Sequence, residues 1–212
     1  MLYLANPCTP AVIAAMGAGV LGMIDTPYQA KKARVVEAHA AGALWCADNG
    51  AYTKRWEADR WWTWLTADRQ IDARDRCLFA TAPDVVGDAD ATWERSRPWL
   101  PRIRAAGYPV AYVGQNGLRD LPWDDFDVLF LGGDDAWKLG PEARTWTARA
   151  VARGVPVHMG RVNSQRRYTY AHAIGCSTVD GTYLTFGPDV NLPDVLSWVR
   201  SAGQPGLFPA QG

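Results

Sequence analysis

The feature that most constrains the fold is a recurring unit, in which a short apolar run leads to Gly, Asp or Asn and then to a segment with helical patterning. Eight such runs occur, and each is too short for a helix. Several are almost entirely apolar, which is typical of parallel strands buried on both faces. The runs are Leu2–Leu4, Val20–Ile24, Ala43–Cys46, Cys77–Ala80, Val110–Val113, Val128–Leu131, Val155–His158 and Ser177–Val179.

The segments between these runs predict helices over Thr53–Leu65, Asp90–Ala106, Pro141–Arg153 and Asp194–Ser201. Eight strands alternating with helices favour an α/β fold, a compact (β/α)8 TIM-like barrel. Such barrels usually need about 250 residues. The chain has 212 residues, so some helices must be short or missing. An open doubly wound sheet is the alternative. We expect one domain spanning residues 1–212.

Composition excludes some classes of protein and leaves others open. The formal net charge is zero, which excludes a globally basic nucleic-acid wrapper but not a local basic patch. The 18 arginines and 11 tryptophans suit phosphates and stacked bases, although a GC-rich coding sequence is the plainer explanation. The sequence lacks an apolar run of ~18 residues and a secretory signal at its start. We therefore expect no membrane contact and a cytoplasmic location.

Polar residues and glycines follow six successive runs, at the strand ends where a βα barrel places its chemistry. Any one of these motifs alone is typical of a turn. Together they offer carboxylates, an amide and close backbone approach, which suit a flat heterocycle such as guanine. The motifs are Asp48-Asn49-Gly50-Ala51-Tyr52, Pro83-Asp84, Gly114-Gln115-Asn116-Gly117, Gly132-Gly133-Asp134-Asp135, Met159-Gly160-Arg161 and Asp180-Gly181-Thr182.

In this order, the motifs resemble those of the tRNA-guanine transglycosylase superfamily. The likeness runs from about residue 43 to 186 and is greatest to the small phage-type branch that inserts 7-deazaguanine bases into DNA. Asp48-Asn49-Gly50 resembles the family's Asp-Ser-Gly, with Asn49 in place of Ser. The tRNA enzymes also carry a zinc subdomain of three Cys and one His after their nucleophile. No Cys or His follows Asp180 here, so we expect no zinc subdomain and no metal site.

The resemblance implies base exchange through a covalent aspartyl–sugar intermediate, with no cofactor. It assigns Asp180 as the nucleophile and Asp48 as the general acid and base. Asp84 would accept hydrogen bonds from the guanine edge, and Gln115 and the Gly133 N–H would hold its O6 side. The remaining substrate-binding residues that it implies are Asn49, Gly50, Tyr52, Gly132, His158 and Met159. Met159 and Tyr52 would cover the faces of the base, or else serve only in packing, and His158 is alternatively a satisfied core histidine.

A basic stretch leads into Asp180. Residues 143–179 hold six arginines and no acidic residue, which favours contact with a phosphate backbone, although a solvated helix face is the alternative. Arg161, Arg166 and Arg167 are the candidate phosphate ligands, with Asn163 and Ser164 as donors at a helix N-terminus. The target guanine would have to be unpaired or flipped out.

The leading hypothesis is thus a DNA guanine transglycosylase that exchanges guanine for a base of the 7-cyano-7-deazaguanine type, in the host cytoplasm if the gene is a phage gene. A second hypothesis keeps the enzyme class but takes tRNA or another RNA, or hydrolyses a deazaguanine nucleoside. A third is a non-catalytic module that binds nucleic acid or a nucleobase. The oligomeric state stays open.

Overall fold

The computed structural model describes residues 1–29, 32–53 and 56–203, and its strands form a closed parallel barrel in the order β1 to β8. Each predicted apolar run overlaps one of these strands, most of which extend a residue further, so the predicted (β/α)8 barrel is confirmed and the open sheet is excluded. The strands are β1 Leu2–Ala5, β2 Leu21–Asp25, β3 Trp45–Ala47, β4 Cys77–Thr81, β5 Val110–Gly114, β6 Val128–Leu131, β7 Val157–Met159 and β8 Thr178–Asp180. The β1–β8 pairing, with Tyr3 opposite Val179, closes the barrel.

The helices that surround the barrel are mostly short, as the chain length predicts. Those of the described residues are α1 Pro10–Gly17, α2 Lys32–Ala40, α3 Ala58–Leu65, α4 Asp68–Asp72, α5 Ala89–Ser96, α6 Leu100–Ala105, α7 Asp135–Lys138, α8 Pro141–Ala152, α9 Gln165–Ile174 and α10 Pro188–Gly203. None of them has the length and apolarity needed to cross a lipid bilayer.

Three predicted helices have different bounds in the structure. The helix predicted over Thr53–Leu65 starts at Ala58, and residues 54–55 of that prediction lie outside the described residues. The one predicted over Asp90–Ala106 is two helices, α5 and α6, because Pro98 has no N–H to continue the hydrogen-bond ladder. The last helix starts earlier than Asp194 and contains Pro193.

The core has two layers. Inside the barrel, apolar side chains that include Leu4, Cys46 and Phe79 form one buried cluster. Between the barrel and the helices lies a larger layer that includes Trp45 and Trp61. Because alternate residues of a strand face opposite layers, only about half of the side chains of each strand point into the barrel and can reach its mouth.

Candidate functional site

A cavity of about 430 Å³ opens at the carboxyl ends of the barrel strands. This is the end where βα barrels place their chemistry. Asp48, Asp84 and Asp180 all line it, although they lie far apart in the sequence. The strand order explains their meeting, since each follows or ends a parallel strand of the same closed sheet.

Asp84 lies in a buried hydrogen-bond network on the β3–β5 side of the cavity. Its two carboxylate oxygens accept from Asn49 Nδ2 at 2.9 Å and from Gln115 Nε2 at 2.7 Å. Burial raises the pKa of Asp84, while the Asn49 and Gln115 hydrogen bonds lower it. Asp84 therefore has a fixed orientation and keeps further acceptor positions, because each carboxylate oxygen can accept two hydrogen bonds.

Asn49 and Gln115 are themselves held in place by the backbone. Asn49 Nδ2 also donates to the Ala82 carbonyl at 2.8 Å, and its Oδ1 accepts from the Ala51 N–H at 2.7 Å. Gln115 Oε1 accepts from the Gly87 N–H at 2.9 Å. The Asn49 amide has both of its N–H groups in use, so it positions Asp84. Gln115 Nε2 carries a second N–H beyond the one that it donates to Asp84.

Gly132 lines the cavity beside Gln115. A Cβ at Gly132 would lie 2.4 Å from Val113 Cγ1 and 2.8 Å from Gln115 Nε2, so only glycine fits there. The Gly132 N–H donates to the Gly114 carbonyl at 2.9 Å.

Asp48 follows β3 and shares the cavity with three other carboxylates, those of Asp84, Asp135 and Asp180. Its backbone N–H donates to the Asp25 carbonyl at 2.8 Å, and its Oδ2 accepts from the Gly50 N–H at 3.2 Å. Burial, together with the charges of Asp180 and Asp84, raises the pKa of Asp48 to about 7. A carboxyl with a pKa near neutrality suits both the donation and the acceptance of a proton.

Asp180 ends β8, and a buried histidine holds it. His158 on the neighbouring strand β7 lies 3.0 Å from Asp180 Oδ1 through Nε2 and 2.8 Å from Thr178 Oγ1 through Nδ1. The Asp180 side chain is 14% exposed, whereas that of His158 is fully buried. Asp180 can therefore reach a ligand while His158 fixes its direction.

The β6–β7 side of the mouth carries the basic residues. Arg161 and Arg167 line the cavity together with Asp135. Arg167 pairs with Asp135 at 2.5 Å. Behind them, the buried Lys138 donates to the Gly160 carbonyl at 2.6 Å. Burial, with the Arg161 charge as the second cause, lowers the pKa of Lys138 to about 8. This cationic side faces Asp48 and Asp84, which follow β3 and β4, across the cavity.

Ten of the residues predicted for the site line this cavity. They are Asp48, Asn49, Tyr52, Asp84, Gln115, Gly132, Arg161, Asn163, Arg167 and Asp180. Tyr52 stands at the rim with 62% of its surface exposed. Asn163 uses its Oδ1 to accept from the Thr182 N–H at 2.7 Å, so this atom joins the loops after β7 and β8.

Six other predicted residues do not line the cavity. Met159 is 1% exposed and packs in the outer layer, because its neighbour His158 takes the inward position of β7. It therefore does not cover a base. The Gly133 N–H donates to the Gly114 carbonyl at 3.3 Å and is not directed at a ligand. Gly50 acts through its N–H on Asp48, and His158 acts on Asp180.

The remaining two lie on or next to α9. Ser164 is the N-cap residue of this helix, and its Oγ accepts from the Arg167 N–H at 3.3 Å. Its hydroxyl therefore serves the helix end. Arg166 is exposed on the outer surface of the helix.

Twelve of the residues that line the cavity were not predicted as site residues, among them Thr81 and Asp135. Thr81 is the last residue of β4 and lines the cavity, and its Oγ1 finds no hydrogen-bond partner among the described residues. The sequence could have identified Thr81, because it directly follows the predicted run Cys77–Ala80 and strand alternation places it on the same face as Phe79. Asp135 stood in the motif after β6 but was not assigned a role. It belongs to α7, a helix of four residues too short to recognise by periodicity, as does Lys138, which lies behind the cavity lining.

Comparison with known proteins supports the fold. No protein-family model and no curated protein matches the chain. Among solved structures, tryptophan synthase from M. tuberculosis is 16% identical with a TM-score of 0.57, over 97% of this chain and 92% of that one. The 3-hexulose-6-phosphate synthase from Salmonella typhimurium is 15% identical with a TM-score of 0.53, over 95% and 99%.

Phosphoribosyl anthranilate isomerase from Thermus thermophilus is also similar, at 16% identity and a TM-score of 0.52, over 95% of this chain and 98% of that chain. These structures are barrel enzymes of different activities. One fold carries many chemistries, so likeness at this level of identity establishes the (β/α)8 barrel and no activity.

Proposed function

We propose that this protein is a DNA guanine transglycosylase, which exchanges guanine for a 7-deazaguanine base. The observation that carries the proposal is the meeting of Asp48, Asp84 and Asp180 in one cavity, each in a different environment. Asp84 is oriented by amides, Asp48 has a pKa near neutrality, and Asp180 is held by a buried histidine. Three such carboxyls fit three tasks: recognising a base, moving a proton and attacking a sugar.

Recognition of the base belongs to the β3–β5 side. Guanine presents N1–H and an exocyclic amine, which require acceptors, and O6, which requires a donor. Asp84 supplies the acceptors, and the second N–H of Gln115 Nε2 supplies a donor beside it. Since both groups are fixed by their own hydrogen bonds, a base lacking the matching edge would leave them buried and unpaired.

The exchange proceeds by two displacements at the sugar. In the first, a carboxylate oxygen of Asp180 bonds to the anomeric carbon while the glycosidic C–N bond breaks, and its electron pair leaves with the base nitrogen. Protonated Asp48 donates its proton to the departing base. In the second, Asp48 accepts a proton from the incoming base, whose nitrogen displaces the Asp180 carboxylate. Both the configuration at the sugar and the charge balance are restored.

Binding of the polynucleotide belongs to the β6–β7 side. Arg161 and Arg167 place two guanidinium groups at the rim of the cavity that contains Asp180. Loops after strands 7 and 8 are a frequent phosphate site in βα barrels. A phosphate beside the reacting sugar would therefore meet these arginines, while the target nucleotide enters the cavity unpaired.

The decisive experiment follows labelled guanine in a DNA oligonucleotide incubated with 7-cyano-7-deazaguanine. The wild-type protein should release guanine and incorporate the deazaguanine. Asp180→Asn should slow release by at least about 10³-fold, because the nucleophile is lost. A denaturing gel and peptide mapping should locate a covalent protein–DNA adduct at Asp180. The exposed Asp75→Asn, located before β4 at the opposite end of the barrel, is the matched control and should behave as wild type.

Three further arms decide among the alternatives. Exchange in an RNA oligonucleotide, but not in DNA, would assign RNA as the substrate. Guanine release without an added base would indicate hydrolysis. Binding of DNA without release or adduct would indicate a non-catalytic module and overturn the proposal.

A further inference from the structure

Arg161 crosses the mouth of the barrel. It follows β7, whereas Tyr52 follows β3, and these strands are four places apart in either direction around the closed sheet. The Arg161 guanidinium nevertheless lies 4.6 Å from the centroid of the Tyr52 ring. It also donates to the carbonyls of Gly132, at 2.8 Å, and Gly133, which follow β6. One side chain therefore joins three loops over the cavity.

The backbone beneath this side chain is fixed. Arg161 has a φ of 63°, and among the described residues it is the only non-glycine residue with positive φ. Its carbonyl accepts from Arg167 at 3.3 Å, and the next N–H, of Val162, donates to the Asp180 carbonyl at 2.6 Å. Any motion that opens the mouth therefore belongs to the Arg161 side chain rather than to its loop.

The stacking face of Tyr52 cannot hold two partners. A guanidinium and a flat heterocycle both bind an aromatic ring face to face, so a base that stacks on this face of Tyr52 must displace Arg161. The ring is accessible for such an exchange, being 62% exposed. Displacement frees a positive charge at the rim where a phosphate would arrive.

We infer that Arg161 is a gate across the cavity mouth, opened by a nucleotide that supplies both a base for Tyr52 and a phosphate for the released guanidinium. The inference rests on the proposed function and adds to it an order in which the two substrates bind. A free base must displace Arg161 but offers no phosphate in return. A nucleotide in a strand offers both. The gate therefore favours entry of the polynucleotide before the free base.

The test measures how tightly the protein binds free guanine and how well it uses the DNA oligonucleotide. Removal of the gate should improve the first and impair the second. Titration calorimetry gives the affinity for free guanine, and steady-state exchange gives the KM for the DNA oligonucleotide. In Arg161→Ala, guanine should bind about two- to five-fold tighter, because it no longer has to displace one exposed cation–π contact. The KM for DNA should rise severalfold, because a phosphate contact is lost. Arg97→Ala removes an equal charge next to α5 and should change neither value.

A second variant guards against misfolding of the loop. Arg161→Gly suits the positive φ without strain, so it should fold and show the same opposite shifts. If Arg161→Ala and Arg161→Gly weaken both guanine and DNA, Arg161 is an ordinary ligand and the gate is overturned while base exchange stands. If guanine binds equally to wild type and variants, the gate is also overturned. If guanine binds to none of them, the proposed function itself fails.

Discussion

The two sides of the barrel mouth differ in how their polar groups are held. On the β3–β5 side, Asn49, Asp84 and Gln115 are almost fully buried and are tied to one another and to the backbone. On the β6–β7 side, Arg161 and Arg167 use long side chains, partly exposed, to reach carbonyls and a carboxylate. The first side is preorganised, whereas the second can exchange its contacts.

This difference matches what the two halves of a nucleotide require. A base is rigid and is recognised by its edge, which rewards donors and acceptors that are already in place. A phosphate is a diffuse charge that several arginine geometries satisfy. We therefore expect substitutions on the β3–β5 side to act on base affinity, those around Asp180 to act on turnover, and those at the basic rim to act on salt dependence.

After the loss of the nucleophile in Asp180→Asn, the largest effect is expected from Asp84→Asn, measured as the KM for the incoming base. The new amide nitrogen would face either Asn49 Nδ2 or Gln115 Nε2, so one donor opposes another in a buried network. The base also loses one acceptor. We expect KM to rise about 100-fold, as for loss of a buried hydrogen bond to a charged group. A KM within threefold of the wild-type value would show that the base is not held on this side.

His158→Leu tests the β7–β8 part of the site, where His158 holds Asp180. It fills a similar volume among Phe79 and Phe130 but removes the hydrogen bonds to Asp180 and Thr178. Asp180 should lose its fixed direction, and kcat should fall about 10- to 50-fold with the KM for the base unchanged. His172→Leu, at an exposed position of α9, is the matched control. A rise in KM without a change in kcat would contradict a positioning role.

The pH dependence of guanine release sharpens the comparison further. The pKa of Asp48 is raised to about 7, so this carboxyl is mostly protonated below pH 7 and mostly ionised above it. In the proposed mechanism, single-turnover release needs the protonated form. Its rate should be flat below pH 7 and fall about tenfold per pH unit above it. Asp48→Asn should be slower and lose this descending limb. A limb that persists in the variant would assign the proton to another group.

The sequence predicted the barrel and three of the four aspartates that line its cavity, because both depend on local chemistry. Short apolar runs identify buried parallel strands, and residues directly after such runs must lie at one end of the sheet. Asp48 and Asp84 follow this rule, and Asp180 ends its strand. The difference between Asp84 as an oriented acceptor and Asp48 as a carboxyl with a pKa near neutrality depends on burial, which no motif encodes.

The features of the site that could not be predicted from the sequence depend on the direction and length of side chains. Met159 and His158 are neighbours in one strand, so only one of them can face the cavity, and the alternation rule alone does not say which. The contact of Arg161 with Tyr52 joins loops that are distant in the chain. Lys138 is buried by the packing of a four-residue helix. These features follow from tertiary packing alone.

The smallest effect distinguishes two neighbouring arginines of α9. Arg167 lines the cavity and pairs with Asp135, whereas Arg166 points to the outer surface. If DNA reaches Asp180 over the rim of the cavity, Arg167→Ala should weaken binding a few-fold. It should also reduce the slope of log K against log salt by about one. Arg166→Ala should change that slope by less than half as much. The reverse order would place the phosphate path along the outer face of α9, away from the gate residue Arg161, and the basic rim would then have no part in delivering the nucleotide.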